Sequence, residues 1–231
     1  MVNVGVVFLS LGGTPELQEM TQNAIDSCLD GDTSINYEIV VYESVQGVEY
    51  KGARTIYPLD GDSFNYNRCM NICISLPMFD ECKYIALCNN DLIFEKGWAS
   101  TLIKKMKEAN VWSACPMDPT THADVKFENG MAKGRLVTKM PRHLAGWCIF
   151  QDLEIYKTLG ALDCGATFWH SDTLYASQLA QHGLGHILVE DSKVHHLNGQ
   201  TIGSSVIPDL LRKLYTTESP IHREVYGEGV K

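Results

Sequence analysis

The chain opens on a mostly apolar stretch, Val2-Asn3-Val4-Gly5-Val6-Val7-Phe8-Leu9, and then turns polar through Leu11-Gly12-Gly13. A run of this length suits one buried strand. Thr14 is a candidate helix cap, with Pro15 at the first helical position and an amphipathic pattern continuing to about Leu29. Strand, loop and helix in that order are the first unit of a parallel α/β sheet. Further strands are expected over Tyr37–Tyr42 and Thr55–Tyr57, followed by a helix from about Tyr66 to Leu76 that Pro77 stops.

In Lys83-Tyr84-Ile85-Ala86-Leu87-Cys88 the apolar residues run together instead of alternating, as in a strand covered on both faces. It leads directly into Asn89-Asn90-Asp91 and apolar Leu92-Ile93-Phe94. A helix over Trp98–Ala109 and a strand over Val111–Cys115 extend the pattern. Asn129-Gly130 between short flanks then signals a turn, and so a small antiparallel hairpin insertion. A strand over Ala145–Phe150, a helix capped by Asp152, a helix from about Asp172 ending at Gly183 and a strand over His186–Val189 follow, with helical segments expected from Pro208 on. The fold class is therefore α/β, a mostly parallel central sheet flanked by helices.

At 231 residues the length favours one large domain. Within it, residues 1–115 form a first half, 116–205 a second, and 206–231 a terminal helical segment. No apolar run approaches the roughly 20 residues of a membrane span, and the opening strand lacks the basic start of a signal peptide. Eight cysteines carry no CxxC pair or framework spacing, so they are expected to be reduced core thiols of a cytoplasmic protein. The net charge of −9 speaks against a surface made to grip nucleic acid. A local basic stretch stands out, however: Lys126, Lys133, Arg135, Lys139, Arg142 and His143, with Glu128 in opposition.

Three constellations carry possible chemistry. Asn89-Asn90-Asp91 puts polar groups at the carboxyl end of a buried strand, the edge where open α/β sheets bind ligands. Asp91 there is either part of a polar turn or a ligand for a hard divalent cation. Asp172, in Phe168-Trp169-His170-Ser171-Asp172, is either a helix cap or a general base beside two aromatic rings. His195 and His196 are adjacent on an extended segment and point to opposite faces, so at most one of them meets Asp91.

In this order and spacing the three features resemble the large family of inverting glycosyltransferases with the GT-A fold, which includes rhamnosyl-, galactosyl- and polysaccharide-building enzymes. The resemblance runs from Val2 to about Thr201. It rests on Asn65-Tyr66-Asn67-Arg68-Cys69-Met70-Asn71-Ile72-Cys73-Ile74, on Leu87-Cys88-Asn89-Asn90-Asp91-Leu92, on His143-Leu144-Ala145-Gly146-Trp147-Cys148-Ile149-Phe150, on Ser171-Asp172, and on His195-His196-Leu197-Asn198-Gly199-Gln200-Thr201. Cys73 and Ser171 depart from it, standing where the family usually has Gly and Glu.

The resemblance implies a single GT-A-type domain that moves a hexosyl or pentosyl group from a nucleotide-sugar, UDP-linked by expectation, to an acceptor hydroxyl. Mn²⁺ or Mg²⁺ is the implied cofactor, held by Asp91 with His195 or His196. Asp172 is the implied catalytic base. Donor contacts are implied for Phe8, Ser10, Glu43, Asn65, Arg68, Asn71, Asn89 and Asn90, with Glu43 reading the base. Acceptor contacts are implied for Gly146, Trp147, Trp169 and His170. The acceptor itself is open between a glycan, a lipid-linked glycan and a hydroxymethylated base of phage DNA. Two rival readings are a sugar nucleotidyltransferase, against which Leu11-Gly12-Gly13-Thr14-Pro15 lacks a basic residue, and a non-catalytic nucleotide-sugar-binding module.

Overall fold

Alternation along the first strand sorts its side chains onto two helical layers. In β1 (Val2–Ser10), Val4, Val6 and Phe8 face one side and Val7 and Leu9 the other, and all are buried. The chain is described here from a computed structural model covering residues 1–59, 63–134, 143–197, 213–214 and 217–218. Most of the basic stretch (Arg135, Lys139, Arg142), the Asn198–Thr201 end of the histidine motif and the helices expected from Pro208 lie largely or wholly outside these residues.

After β1 come α1 (Pro15–Gly31), β2 (Ile35–Glu43), β3 (Arg54–Ile56), α2 (Tyr66–Ile74), β4 (Tyr84–Asn89), β5 (Leu92–Phe94), α3 (Trp98–Ala109), β6 (Ser113–Met117), β7 (Met131–Gly134), β8 (Cys148–Asp152), α4 (Ile155–Leu159), α5 (Ser171–Gln181) and β9 (His186–His196). Thr14 caps α1 as its sequence implies, its Oγ1 accepting from the Leu17 amide, with Pro15 at the first turn. Asn65 does the same for α2 through the Arg68 amide.

Among the described residues the strands join in the order β3-β2-β1-β4-β8-β6-β9-β5, with β7 also paired to β9. The first four are parallel; β8 runs against both β4 and β6, and β5 and β7 run against β9. α1 and α3 cover the face of Phe8, Cys88 and Phe150, where Trp98 stacks on Tyr37 and meets Phe94 and Phe150. α2, α4 and α5 cover the face of Leu9, Ile85, Leu87 and Ile149 through Met70, Ile155, Tyr175 and Leu179. This is the α/β class expected, a mixed sheet between two helical layers.

Three elements differ from their sequence reading. Asp152 does not cap α4: it ends β8 and accepts from the Glu154 amide at 3.1 Å, and Glu154 holds the cap position without a side-chain bond. The Asn129-Gly130 turn is present, both residues left-handed (φ 54° and 72°), and Glu128 bridges Met131 across it. Beyond that one bridge, β7 turns from its preceding arm and pairs with β9. β9 itself is far longer than His186–Val189. Its register against β6 jumps between Pro116 and Met117, so residues 190–192 bulge out and the strand bends on toward β5. Polar Glu190, Asp191, Ser192 and Lys193 concealed that continuation, because the bulge breaks the alternation that marks a strand.

All eight cysteines are free, seven buried and Cys164 exposed. No helix among the described residues is long and apolar enough to cross a membrane. Trp98 is fully buried at the centre of its aromatic cluster. Trp98→Ala should therefore cost about 3–5 kcal/mol, read as a fall of about 6–20 °C in Tm by calorimetry.

Candidate functional site

A sheet that grows outward from β1 in both directions opens a crevice where its order reverses, at the carboxyl ends of β1 and β4. Leu9 pairs with Asn89 there, so Ser10 and Asn90-Asp91 emerge side by side. A cavity of about 520 Å³ occupies the crevice and continues beneath the start of α5. It is lined by Ser10, Asn89, Asn90, Asp91, Gly146, Trp147, Trp169, His170, Asp172 and His196 among others. Asp91, Asp172 and His196, far apart in sequence, thus share one wall-to-wall space of ordinary ligand-pocket size.

The pairing of β5 with β9 explains how His196 reaches Asp91. Leu92 sits opposite His196, and the Leu197 amide donates to the Asp91 carbonyl at 2.9 Å. His196 Nε2 lies 3.2 Å from Asp91 Oδ1. Trp147 stacks on the imidazole (centroids 5.5 Å, 21°), and His122 packs at 6.1 Å from Trp147. His195 falls on the other face, where its Nε2 meets Glu95 Oε1 at 2.7 Å in the open. Of the two histidines expected at the metal, His195 is therefore corrected: strand alternation turns it outward.

Asp91 is 3% exposed, and its Oδ1 has no hydrogen-bond partner; the His196 contact is within ion-pair range only. An orphaned carboxylate oxygen beside an imidazole nitrogen fits a shared divalent cation, which takes carboxylate and imidazole ligands together. No group of three or more His, Cys, Asp or Glu is arranged for a metal among the described residues. The protein would then supply two ligands and leave the rest to a bound diphosphate or water, the usual arrangement for such ions at phosphate sites.

Asp172 is the second residue of α5, not its cap; that position belongs to His170, held left-handed at φ 62°. Its Oδ1 accepts from the Thr173 amide at 2.8 Å. Burial raises the carboxyl pKa above the ordinary value, against the opposing effects of the Thr173 amide and of His170. Gly146 lies against it so closely that a Cβ there would stand 3.0 Å from Asp172 Cβ and Oδ2. The glycine of the expected acceptor segment is thus needed for the approach of Asp172.

Ser10 and Asn90 line the cavity from within a buried polar chain. Asn90 Nδ2 donates to Thr21 Oγ1 at 2.9 Å, and Ser10 Oγ lies 3.0 Å from both Thr21 Oγ1 and Tyr50 Oη. Tyr50 donates to Glu43 Oε2, whose Oε1 accepts from the Gly12 and Val45 amides, each at 2.8 Å. Glu43 is fully buried and committed to these donors, so it braces the two loops beside the cavity and does not line it; its neighbour Ser44 does. Asn89 Oδ1 accepts from Tyr66 Oη at 3.2 Å.

The other expected donor contacts stand apart from the cavity. Phe8 is a core residue packed edge-on to Phe94. Asn65 caps α2 and donates to the Cys164 and Ala166 carbonyls; Arg68 donates to the Ser63 carbonyl; Asn71 exchanges hydrogen bonds with Leu162. Asn65 and Asn71 tie α2 to the segment before α5, and Arg68 fastens the approach to α2 itself, fold-organising roles that a motif read along one helix does not reveal.

Sequence reading missed Tyr66, Phe64, Gln151 and Glu218. Tyr66 joins Asn89 Oδ1 to the Gly146 carbonyl, and Phe64 packs on Phe168 at 5.9 Å. Glu218 carries no local signal at all. Its carboxylate accepts the successive amides of Thr167, Phe168 and Trp169, at 2.5, 3.2 and 2.8 Å, and so holds the aromatic wall of the cavity in place.

No protein-family model matches the chain, and no curated protein matches its sequence. Its fold does match solved structures. The crystal structure of GalNAc-T7 with UDP, GalNAc and Mn²⁺ superposes with a TM-score of 0.63 at 12% sequence identity, over 98% of this chain and 50% of that one. The chain thus spans about half the length of that protein, and at this identity the likeness is one of fold, the GT-A type.

The raised pKa of Asp172 makes a stability prediction. A carboxyl whose folded pKa exceeds its unfolded value of 3.8 favours folding in its protonated form, a contribution present below that value and lost as pH rises. Asp172→Asn, fixed in the neutral form, should therefore raise Tm by a few degrees at pH 7, with the gain shrinking toward pH 3.5 in parallel melts.

Proposed function

We propose that the protein is a glycosyltransferase that passes a sugar from a nucleotide-sugar to an acceptor hydroxyl by a single inverting displacement. The observation that carries this reading is the convergence of Asp91, His196 and Asp172 on one cavity at the carboxyl edge of the sheet. The fold likeness to a transferase crystallised with UDP, GalNAc and Mn²⁺ supports a UDP-linked donor and manganese, with Mg²⁺ the alternative ion.

In this reading the nucleoside lies over the carboxyl end of β1, near Ser10, Leu11 and Ser44, and the diphosphate lies by Asn89-Asn90-Asp91. Asp91 and His196 would hold the cation, which when bound would supply Lewis-acid neutralisation of the charge on the departing diphosphate. Trp147 keeps the His196 ring turned toward Asp91. Asp172 accepts the proton of the acceptor hydroxyl as its oxygen attacks the anomeric carbon from the face opposite the diphosphate. The desolvation that raises its pKa brings it nearer the working range of a general base. Phe168 and Trp169 screen the reacting atoms from water.

The cavity favours a glycan among the acceptors considered. No lysine or arginine is among the described residues lining it, so among these an anionic backbone finds no counter-charge.

Three measurements test the reading. UDP release from a panel of UDP-sugars should require Mn²⁺ or Mg²⁺ and stop in EDTA; full activity in chelator would make Asp91 and His196 structural. Asp172→Asn should lower kcat about 10²–10⁴-fold while calorimetry shows donor binding retained, and near-normal turnover would reject the base. Gly146→Ala, by crowding Asp172, should lower kcat in the same direction with donor affinity unchanged; an active Gly146→Ala would mean that Asp172 need not keep its place.

A further inference from the structure

Behind the aromatic wall three successive backbone amides, those of Thr167, Phe168 and Trp169, converge on one carboxylate. Glu218 Oε1 accepts from Thr167 at 2.5 Å, and Oε2 accepts from Phe168 at 3.2 Å and from Trp169 at 2.8 Å. Consecutive amides turned to one point form a concave anion site, and here the same chain supplies the occupant. Glu218 is 7% exposed, so the pairing is sheltered from solvent. The carbonyls of this segment are held by the helices on either side: that of Thr167 accepts from the Tyr66 amide of α2 at 2.8 Å, and that of Phe168 from Ser171 Oγ of α5 at 3.3 Å. The amides turn to Glu218 instead. His170 follows at once in the left-handed region, and α5 starts at the next residue with Asp172 second in it. The carboxylate therefore bears on the two rings that line the cavity, Phe168 and Trp169, and on the approach to the base.

We propose that Glu218 is a positioning residue for sugar transfer: by filling the amide site of residues 167–169 it holds Phe168 and Trp169 across the cavity, and so sets how far water competes with the acceptor hydroxyl. The inference deepens the transfer reading and rests on it. Water can enter the same displacement. Its oxygen attacks the anomeric carbon, its proton passes to Asp172, the bond to the diphosphate breaks, and free sugar leaves in place of a glycoside. A wall held shut suppresses this side reaction. The amide site requires a group that only accepts, since three N–H donors meet two oxygens; a glutamine side chain would set an N–H against one of them. Glu218 itself does not line the cavity, so its effect runs through the wall.

The first test needs no nucleotide-sugar. In ¹⁵N spectra the amide protons of Thr167, Phe168 and Trp169 should shift upfield in Glu218→Ala, a truncation that leaves room for acetate. Added acetate should return them toward their wild-type positions, and acetamide, which has the same shape but carries donors, should not. Unmoved signals, no recovery in acetate, or equal recovery in acetamide overturns the carboxylate site. If Glu218→Ala melts early, Glu218→Gln serves in its place: it keeps the shape and reverses one contact, so the same protons must shift, and their failure to shift overturns the site.

The second test follows free sugar released from UDP-sugars with Mn²⁺ and no acceptor. Glu218→Ala should release it roughly tenfold faster than the wild type, and acetate should slow the release again. A merely structural role predicts the opposite sign, a loss of hydrolysis, so hydrolysis equal to or below that of the wild type overturns the positioning role. A wild-type protein that consumes no UDP-sugar, while its amide signals respond to the substitution and to acetate as expected, would sink the transfer reading and leave the carboxylate site standing.

Discussion

The short antiparallel ladder between β5 and β9 is the contact on which the site depends. Three paired residues, Leu92, Ile93 and Phe94 against His196, His195 and Val194, bring a histidine beside an aspartate more than a hundred positions earlier. Because side chains alternate along a strand, this register decides which imidazole faces Asp91; a slip of one residue would present His195 and turn His196 to solvent. The β9 bulge is what lets one strand serve both β6 and this ladder.

Around that contact the chain invests in backbone and aromatic support more than in charge. Trp147 lies flat on the His196 ring, Gly146 clears space for Asp172, and Glu218 gathers three consecutive amides behind Phe168 and Trp169. The chain of Glu43, Tyr50, Ser10, Thr21 and Asn90 does the equivalent on the β1 side of the cavity, carrying order from the glycine loop to the residue before Asp91. These polar groups are buried and paired, a condition under which they stiffen a site. Asp172, with its pKa raised by burial, is the place in the cavity where a charged side chain is held at a cost to stability.

Much of the fold was legible because local signals agreed with one another. The Thr14-Pro15 start of α1, the unbroken apolar run of β4 and the amphipathic span of α3 each carry their own boundary markers. The convergence of Asp91, Asp172 and one histidine was legible as well, since strand ends and their order imply a common edge. What sequence could not supply was side-chain commitment. Glu43 looks like an available acid until its two oxygens are found accepting three hydrogen bonds, from Gly12, Val45 and Tyr50. Asn65, Arg68 and Asn71 look like a polar helix face, yet they bond to segments about a hundred residues away or to their own cap. Glu218 acts only through backbone amides, which leave no pattern in its neighbourhood.

Glu218 lies 49 positions after Trp169. During synthesis, which delivers the chain from its amino end, β1 to β4 and their helices can form the first wall of the cavity well before this carboxylate leaves the ribosome. The aromatic wall is therefore among the last parts of the cavity to be secured, and a nascent chain would acquire the crevice at the ends of β1 and β4 before its full shelter from water.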